Sequence, residues 1–282
     1  MIKKIIFSIL ITLLTFSAQS EDKTYKMVFV PASEKGDESD YKTLISITEK
    51  LTGFNLETIK VTDYNAAVEA MRAGRAHIAW YGGKTYVKAA EIAQAEAFAA
   101  GVRPGEKDAG YYTYFVVKKD SEIKKFDDVK GKVLSLNTIG STSGDLIPQV
   151  ELSKINLSTK NKDHFENVFY AGSHDACLLS VINNQADVCG MSSRNYEARL
   201  EDGTFKKEDV RIIHKSNRVP PPPLAYSKMI PIEDRDKIKK AVLEAHKHGQ
   251  IGGYGGKMSH YMEVRDSDYN VLREVIELLN KS

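Results

Sequence analysis

Apolar positions in the first third of the chain follow two periods, one typical of strands and one typical of helices. Apolar runs of strand length predict strands at 26–30, 54–61, 76–80 and 97–102, and apolar side chains at helical spacing predict helices at 40–51, 64–73 and 85–93. Strands that alternate with helices in this way predict a parallel sheet covered by helices on both faces.

The same alternation starts again after a long predicted strand at 111–118. Further strands are predicted at 133–136, 168–170, 186–190 and 210–214, with helices at 123–129, 148–155 and 176–184. The chain crosses between the two blocks at about 112–118 and again at about 212–220, so its C-terminal part returns to the first block. Amphipathic helices predicted at 232–248 and 269–279 therefore complete the first block. The pattern predicts an α/β protein of two lobes, joined by a two-stranded hinge, that closes on a ligand.

The stretch from Lys132 to Pro148 is the strongest candidate for a binding site. Its sequence, KVLSLNTIGSTSGDLIP, is typical of a strand, a turn of small residues and the start of a helix. Ser141, Thr142 and Ser143 place three hydroxyls beside the first N–H groups of that helix, which lack intrahelical partners and lie at the positive end of the helix dipole. This combination suits a tetrahedral oxyanion. The same residues also suit an ordinary N-cap, and both interpretations stay open.

Three further turns are candidates because of where they lie. Ligands of open α/β sheets bind beyond the carboxyl ends of the strands. Ser33, the Asp63-Tyr64 pair and the Tyr81-Gly82 pair each follow a predicted strand of the first block. All three turns are therefore expected at the end of the sheet where a ligand binds.

The first 20 residues have the pattern of a signal peptide. Lys3 and Lys4 precede an apolar core from Ile5 to Phe16, and small residues at Ala18 and Ser20 predict cleavage after Ser20. The apolar run is short for a membrane span. No cysteine stands at the cut, so no lipid anchor is implied, and the mature chain is expected outside the cytoplasm and not inserted in a membrane.

The charge balance restricts the class of partner. Without Lys3 and Lys4 the 40 basic residues become 38, which equals the 38 acidic residues. A near-neutral chain argues against a broad surface for nucleic acid or membranes. Any anion site must be local.

The two cysteines, Cys177 and Cys189, leave two interpretations open. They can pair in an oxidising compartment, or they can be two buried thiols. Two cysteines without a dense histidine cluster argue against a structural zinc site. No metal and no cofactor is predicted.

Five stretches in order carry a family resemblance: TDYNAAVEAMRAG at 62–74, IAWYGGKTYV at 78–87, DDVKGKVLSLNTIGSTSG at 127–144, AGSHDACLLSVINNQADV at 171–188 and YMEVRDSDYNVLREV at 261–275. With them the chain resembles the periplasmic phosphonate-, phosphite- and phosphate-binding proteins of ABC importers, the PhnD-like proteins. The resemblance covers essentially the whole mature chain.

The resemblance implies a type II periplasmic binding protein. Its signal peptide would be residues 1–20, lobe 1 residues 21–112 plus 218–282, and lobe 2 residues 113–217. It further implies a periplasmic solute-binding subunit, expected to be a monomer, that captures a small phosphorus oxyanion and delivers it to a permease in the inner membrane.

The resemblance also implies ligand contacts. The hydroxyls of Ser141, Thr142 and Ser143 would bind the phosphonate oxygens together with helix N-terminal amides. His174, Tyr64 and Tyr111 would contact the same oxyanion, and binding is expected to depend on pH near the imidazole pKa. Each of these three residues has a structural alternative, as a core aromatic or a structural histidine.

Two departures from the family pattern concern the rest of the ligand. Members that bind aminoethylphosphonate hold its ammonium group with two acidic residues, and this chain carries Arg194 and Pro222 at the aligned positions. An ammonium group beside Arg194 would be repelled. Arg194 can also simply point to solvent.

Two other functions are compatible with the same residues. A secreted hydrolase would use Ser141 or Ser143 with His174, although GSTSG places threonine at the centre of the G-x-S-x-G elbow. A ligand-sensing module for a membrane receptor is the third class. The transport function needs no catalysis, only closure around a ligand.

Overall fold

The computed structural model describes residues 23–33 and 37–281. Its first part alternates strands and helices as the hydrophobic pattern predicts: β1 (Thr24–Phe29), α1 (Asp37–Thr52), β2 (Asn55–Ile59), α2 (Tyr64–Arg72), β3 (Ile78–Trp80), α3 (Gly83–Ile92) and β4 (Ala95–Val102). Asp63 caps α2, since its carboxylate accepts from the amide of Ala66. The predicted signal peptide, residues 1–20, lies outside the described residues.

The middle of the chain repeats the alternation. Its elements are β5 (Thr113–Lys118), β6 (Val133–Leu136), α4 (Ile147–Ser153), β7 (Asn167–Tyr170), α5 (His174–Ile182), β8 (Val188–Ser192), α6 (Ser193–Glu201) and β9 (Val210–Lys215). The helix predicted at 123–129 is a single 3₁₀ turn, Phe126–Val129. The pattern did not reveal α6, because Tyr196 and Ala198 are its only buried apolar side chains and are too few to set a period.

The last part contains β10 (Leu224–Ser227), α7 (Ile232–Glu244), β11 (Ile251–Gly253), β12 (Gly256–Met258), β13 (His260–Glu263) and α8 (Asn270–Lys281). Both helices were predicted, and the end of the first is a 3₁₀ turn, Ala245–Lys247. The four short strands were not predicted.

The first sheet is mixed, with strand order β13-β4-β10-β3-β1-β2. Here the expectation of a parallel sheet is wrong. β1 is parallel to β2 and β3, but β10 runs antiparallel between β3 and β4. The reason is that the chain returns from the other lobe and enters this sheet from the opposite end.

The second sheet has the order β7-β6-β8-β5-β9, with β6, β7 and β8 parallel and with β5 antiparallel to its neighbours β8 and β9. Two crossover segments, 103–112 and 216–223, connect the sheets, and Tyr111 and Val219 pair in an antiparallel bridge where they run side by side. We keep the division into lobe 1 (21–112 plus 218–282) and lobe 2 (113–217) as a proposal, since each range contains all the strands of one sheet.

A disulfide joins Cys177 of α5 to Cys189 of β8, with 5.6 Å between their Cα atoms. The two cysteines are therefore paired and are not two free thiols. Both cysteines are fully buried in the core between α5 and the second sheet. Within residues 23–33 and 37–281, no helix has the length and apolarity to span a membrane.

Candidate functional site

The Ser-Thr-Ser turn follows β6 and begins a helix. Ser141 is the N-cap, since its Oγ accepts from the amide of Gly144 at 3.1 Å. Residues Thr142–Leu146 form one π-helical turn that runs into α4. Gly144 lies against Asn137 and His174, where an added Cβ would be 2.8 Å from the imidazole Cε1. Glycine at this position therefore lets the turn pack directly on His174.

All three hydroxyl-bearing residues of the turn are buried, with Ser141 1% and Thr142 and Ser143 each 2% exposed. The first amides of the π-helical turn have no carbonyl behind them within the helix, and the helix dipole is positive there. Hydroxyls and amides thus lie at one enclosed point, as an oxyanion site requires.

Lobe 1 docks onto this turn through the start of α3. The amide of Lys84 donates to Thr142 Oγ1 at 2.9 Å, and Thr85 Oγ1 donates to the carbonyl of Gly140 at 2.9 Å. Tyr64, at the start of α2, packs beside them, since a Cβ on Gly140 would lie 3.1 Å from the Cβ of Tyr64. The N-termini of two lobe 1 helices therefore meet the N-terminus of a lobe 2 helix.

His174 is the first residue of α5 and is buried. Its Nδ1 accepts from the amide of Ser192 at 3.3 Å, so the neutral ring carries its proton on Nε2 and is a donor there. Its own amide donates to the carbonyl of Ala32, next to Ser33. Burial lowers the pKa of His174 to about 3. The imidazole is therefore neutral at physiological pH, which argues against the expectation that ligand binding depends on pH near the ordinary imidazole pKa.

Tyr111 lies in the crossover segment and is buried. Burial raises the pKa of its phenol, and hydrogen bonds with Ser143 and Thr142 and the charge of Arg194 oppose that rise. Thr113, at the start of β5, donates from its Oγ1 to the carbonyl of Ser143 at 3.0 Å. Tyr111 of the crossover and Thr113 of β5 therefore both contact the turn at 141–144.

Arg194, in the first turn of α6, reaches across to lobe 1. Its Nη2 donates to the carbonyls of Gly101 at 3.1 Å and Ala109 at 2.7 Å and lies 3.7 Å from Glu106 Oε2. Its Cζ lies 6.0 Å from the ring centroid of Tyr111. Burial lowers the pKa of the guanidinium, an effect that Glu106 opposes. The alternative that Arg194 points to solvent is wrong, since the residue is 1% exposed.

The structure brings together most of the side chains that the sequence singled out. Around the turn lie Ser141, Thr142, Ser143, His174, Tyr64 and Tyr111, with Arg194 beside Tyr111. Ser33 directly follows Ala32, whose carbonyl accepts from the amide of His174. Tyr81 does not join them, since its hydroxyl donates to the carbonyl of Ala67 and contacts Met71 Sδ inside lobe 1. Whether any of these residues binds a ligand stays a prediction.

Sequence reasoning missed Trp80 and Tyr254, whose rings are 4.7 Å apart, and the ion pair of Lys84 with Asp145. Trp80 had a usable signal, because it is the last residue of β3 and directly precedes the Tyr81-Gly82 turn.

The family model for the periplasmic substrate-binding proteins of phosphonate ABC transporters matches residues 27–269. The chain belongs to this family. It is 27% identical over 257 residues to a phosphonates-binding periplasmic protein of Escherichia coli K12, covering 84% of this chain and 74% of that one. It is 25% identical over 281 residues to a phosphate-import protein of Mycolicibacterium smegmatis, with 93% and 88% covered.

Solved structures are similar in fold. The binding component of a Pseudomonas aeruginosa ABC phosphonate transporter superposes with a TM-score of 0.80 at 22% identity, covering 93% of this chain and 87% of that chain. The Prochlorococcus marinus PhnD1 complex with methylphosphonate superposes with a TM-score of 0.78 at 18% identity, covering 93% and 100%. The type II periplasmic binding protein fold is thus confirmed, and so is the family resemblance. The relatives are substrate-binding proteins rather than enzymes.

Proposed function

We propose that this protein captures a phosphorus oxyanion between its lobes, with the turn at 141–144 holding the phosphoryl oxygens. The single observation that carries the proposal is the set of buried, neutral donors at one helix N-terminus, provided by Ser141, Thr142, Ser143 and their amides. Neutral donors cost less free energy to bury than a cationic side chain, and they form strong charge-assisted hydrogen bonds to an anion. An oxyanion can therefore be held without a cationic side chain in contact with it.

His174 and the two tyrosines complete the oxyanion contacts. The Nε2–H of His174 is a donor because Ser192 occupies Nδ1. Tyr111 is hydrogen-bonded to Ser143 and Thr142, and Tyr64 packs on Gly140 at the same turn. Tyr64 and the start of α3 come from lobe 1 and the turn and His174 from lobe 2. Binding therefore stabilises the closed arrangement of the lobes.

The hydrolase alternative has no support in this geometry. A general base must accept the proton of the nucleophile at the nitrogen that faces it. His174 accepts at Nδ1 from a backbone amide, so its Nε2 is protonated and cannot accept. Ser141 Oγ is engaged with the Gly144 amide.

Membership of this family supports a location in the periplasm and an ABC permease as the partner. We infer a periplasmic monomer, exported by means of residues 1–20, that delivers its ligand to the permease of an ABC importer. A thermal melting screen with phosphate, phosphite, methylphosphonate and sulfate tests the proposal. A bound oxyanion at a hundredfold excess over Kd adds about 2.7 kcal/mol to the free energy of unfolding. No shift with any phosphorus oxyanion would contradict it.

A further inference from the structure

Two buried nitrogen donors near the cleft lack a hydrogen-bond partner among the described residues. They are Nε1 of Trp80 and Nε of Arg194, in side chains that are 2% and 1% exposed. A buried donor without an acceptor loses its hydration and gains nothing in return. Native proteins rarely leave such groups unpaired. An acceptor atom on a bound ligand would give these two donors a partner.

The side chains of Trp80 and Arg194 border two neighbouring aromatic rings, those of Tyr254 and Tyr111. The ring of Trp80 lies 4.7 Å from that of Tyr254, which lies 6.4 Å from that of Tyr111. Arg194 Cζ lies 6.0 Å from the Tyr111 ring. Gly255, with φ of 80°, lets the backbone after Tyr254 approach Arg194, where an added Cβ would lie 3.1 Å from the arginine Cβ. Trp80 and Arg194 therefore border one aromatic cluster.

This cluster adjoins the oxyanion turn, because the hydroxyl end of Tyr111 is hydrogen-bonded to Ser143 and Thr142. A ligand whose phosphoryl group occupies the turn would have its substituent next to the Tyr111 ring. Arg194 borders that ring directly, and Trp80 borders it through the ring of Tyr254.

The guanidinium of Arg194 is fixed in place. Its Nη2 is held by the carbonyls of Gly101 and Ala109 on lobe 1, and Glu106 lies 3.7 Å from it. Contacts with lobe 1 therefore engage one end of the guanidinium and leave Nε without a partner. A planar guanidinium fixed in this way favours a ligand whose acceptor atom lies in line with the Nε–H, and it does not favour every nearby anion equally.

We propose that Trp80 and Arg194 form a second subsite, which receives a hydrogen-bond-accepting substituent of a phosphonate, uncharged or anionic. The inference rests on the proposed function, since the phosphoryl group must occupy the turn first. The donors here are N–H groups and the charge beside them is positive, so a hydroxyl, carbonyl or carboxylate fits. An ammonium group does not fit, because it offers no acceptor and would be buried beside a like charge.

Calorimetry with a series of two-carbon phosphonates tests this subsite at pH 7. The series consists of ethylphosphonate, 2-hydroxyethylphosphonate, phosphonoacetate and 2-aminoethylphosphonate. We expect the hydroxyethyl or the carboxylate compound to bind about tenfold more tightly than ethylphosphonate, the range of one hydrogen bond to a buried donor. Aminoethylphosphonate should bind more weakly than ethylphosphonate.

Trp80→Phe removes the N–H and keeps an aromatic ring. It should abolish most of the preference for acceptor-bearing substituents, measured within the variant as the ratio of the Kd of ethylphosphonate to that of 2-hydroxyethylphosphonate. The matched control is Tyr226→Phe, a change of one polar atom at a buried aromatic residue that stacks on Phe98 of lobe 1. Melting curves and ethylphosphonate binding identify a variant that fails to fold, and Arg194→Gln then provides the second measurement of the same preference.

Different outcomes test the second subsite and the proposed oxyanion-binding function. If wild type binds ethylphosphonate as tightly as the hydroxyl and carboxylate compounds, or binds aminoethylphosphonate best, the subsite is refuted. Tighter binding of phosphite or phosphate than of every organic phosphonate also refutes it. If no phosphorus compound binds at all, the proposed function itself fails.

Discussion

Lys84 Nζ lies 2.6 Å from Asp145 Oδ2, and this ion pair joins α3 of lobe 1 to the π-helical turn of lobe 2. Asp145 is 1% exposed and also accepts from the amide of Gly140, from Gln149 Nε2 and from the hydroxyl of Tyr170. The carboxylate thus fixes the turn within lobe 2, and Lys84 adds its charge when the lobes meet. We expect the pair to favour closure.

Lys84→Met should therefore weaken oxyanion binding by about 1–3 kcal/mol, because a partly buried ion pair that loses one member leaves the other charge uncompensated in the closed state. Titration calorimetry with the best oxyanion of the melting screen measures the effect. Lys88→Met, one turn further along the same helix, is the control, since Lys88 contacts Asn65 within lobe 1. Equal loss in both variants would rule out a closure role for the ion pair.

The two serines of the turn should respond differently to alanine. Ser143→Ala should cost about 1.5–3 kcal/mol of binding, the range for a hydrogen bond to a charged group. Ser141→Ala should cost a similar amount and in addition about 1 kcal/mol of unfolding free energy, because Ser141 also caps the helix. Calorimetry and urea denaturation of both variants separate the two effects.

Ser153→Ala, at the exposed end of α4, is the control for both, because its hydroxyl bonds only to the carbonyl of Val150 among the described contacts. Wild-type binding by both turn variants would place the oxyanion elsewhere.

The disulfide should stabilise the lobe that carries His174. Cys177 lies three residues after His174 and Cys189 three residues before Ser192, so the covalent link runs beside the His174–Ser192 hydrogen bond. A bridge that spans 12 residues contributes about 2–4 kcal/mol to stability. Urea denaturation with and without reductant should show this difference in the wild type. The Cys177→Ala, Cys189→Ala double variant should be insensitive to reductant, and an unchanged midpoint in the reduced wild type would refute the prediction.

Local patterns predicted the turn at 141–144 well, because its signals lie within a few residues. A strand, glycines and hydroxyls before a helix are sufficient to predict the turn at 141–144. The pairing of Lys84 with Asp145, 61 residues away, depends on the docking of two lobes and has no local signal. The same holds for Trp80 beside Tyr254. β10 was missed for another reason, since its four residues follow a run of prolines that suggested a rigid connection.

The low pKa of His174 predicts how stability depends on pH. The folded state holds the imidazole neutral down to about pH 3, whereas the unfolded chain binds its proton near 6.5. The unfolded state therefore binds more protons between these values. The free energy of unfolding is unaffected by His174 above about 6.5 and falls as the pH decreases below it. Between pH 7 and 5 this single group should cost about 2 kcal/mol.

Denaturation of the ligand-free protein at pH 7, 6 and 5 measures this loss. His174→Asn should remove most of it, because asparagine stays neutral throughout. Burial also lowers the pKa of His77, so part of the wild-type decline will remain in the variant. Burial raises the pKa values of Asp234 and Asp266, but hydrogen bonds outweigh it and lower both pKa values overall, from Lys23 and Tyr25 to Asp234 and from Tyr86 and Arg273 to Asp266. These carboxylates lose their stabilising effect only at lower pH. The control is His248→Asn, at an exposed position, which should follow the wild type. If His174→Asn declines as steeply as the wild type between pH 7 and 5, the imidazole is not held neutral, and its assignment as an Nε2–H donor to the oxyanion fails with it.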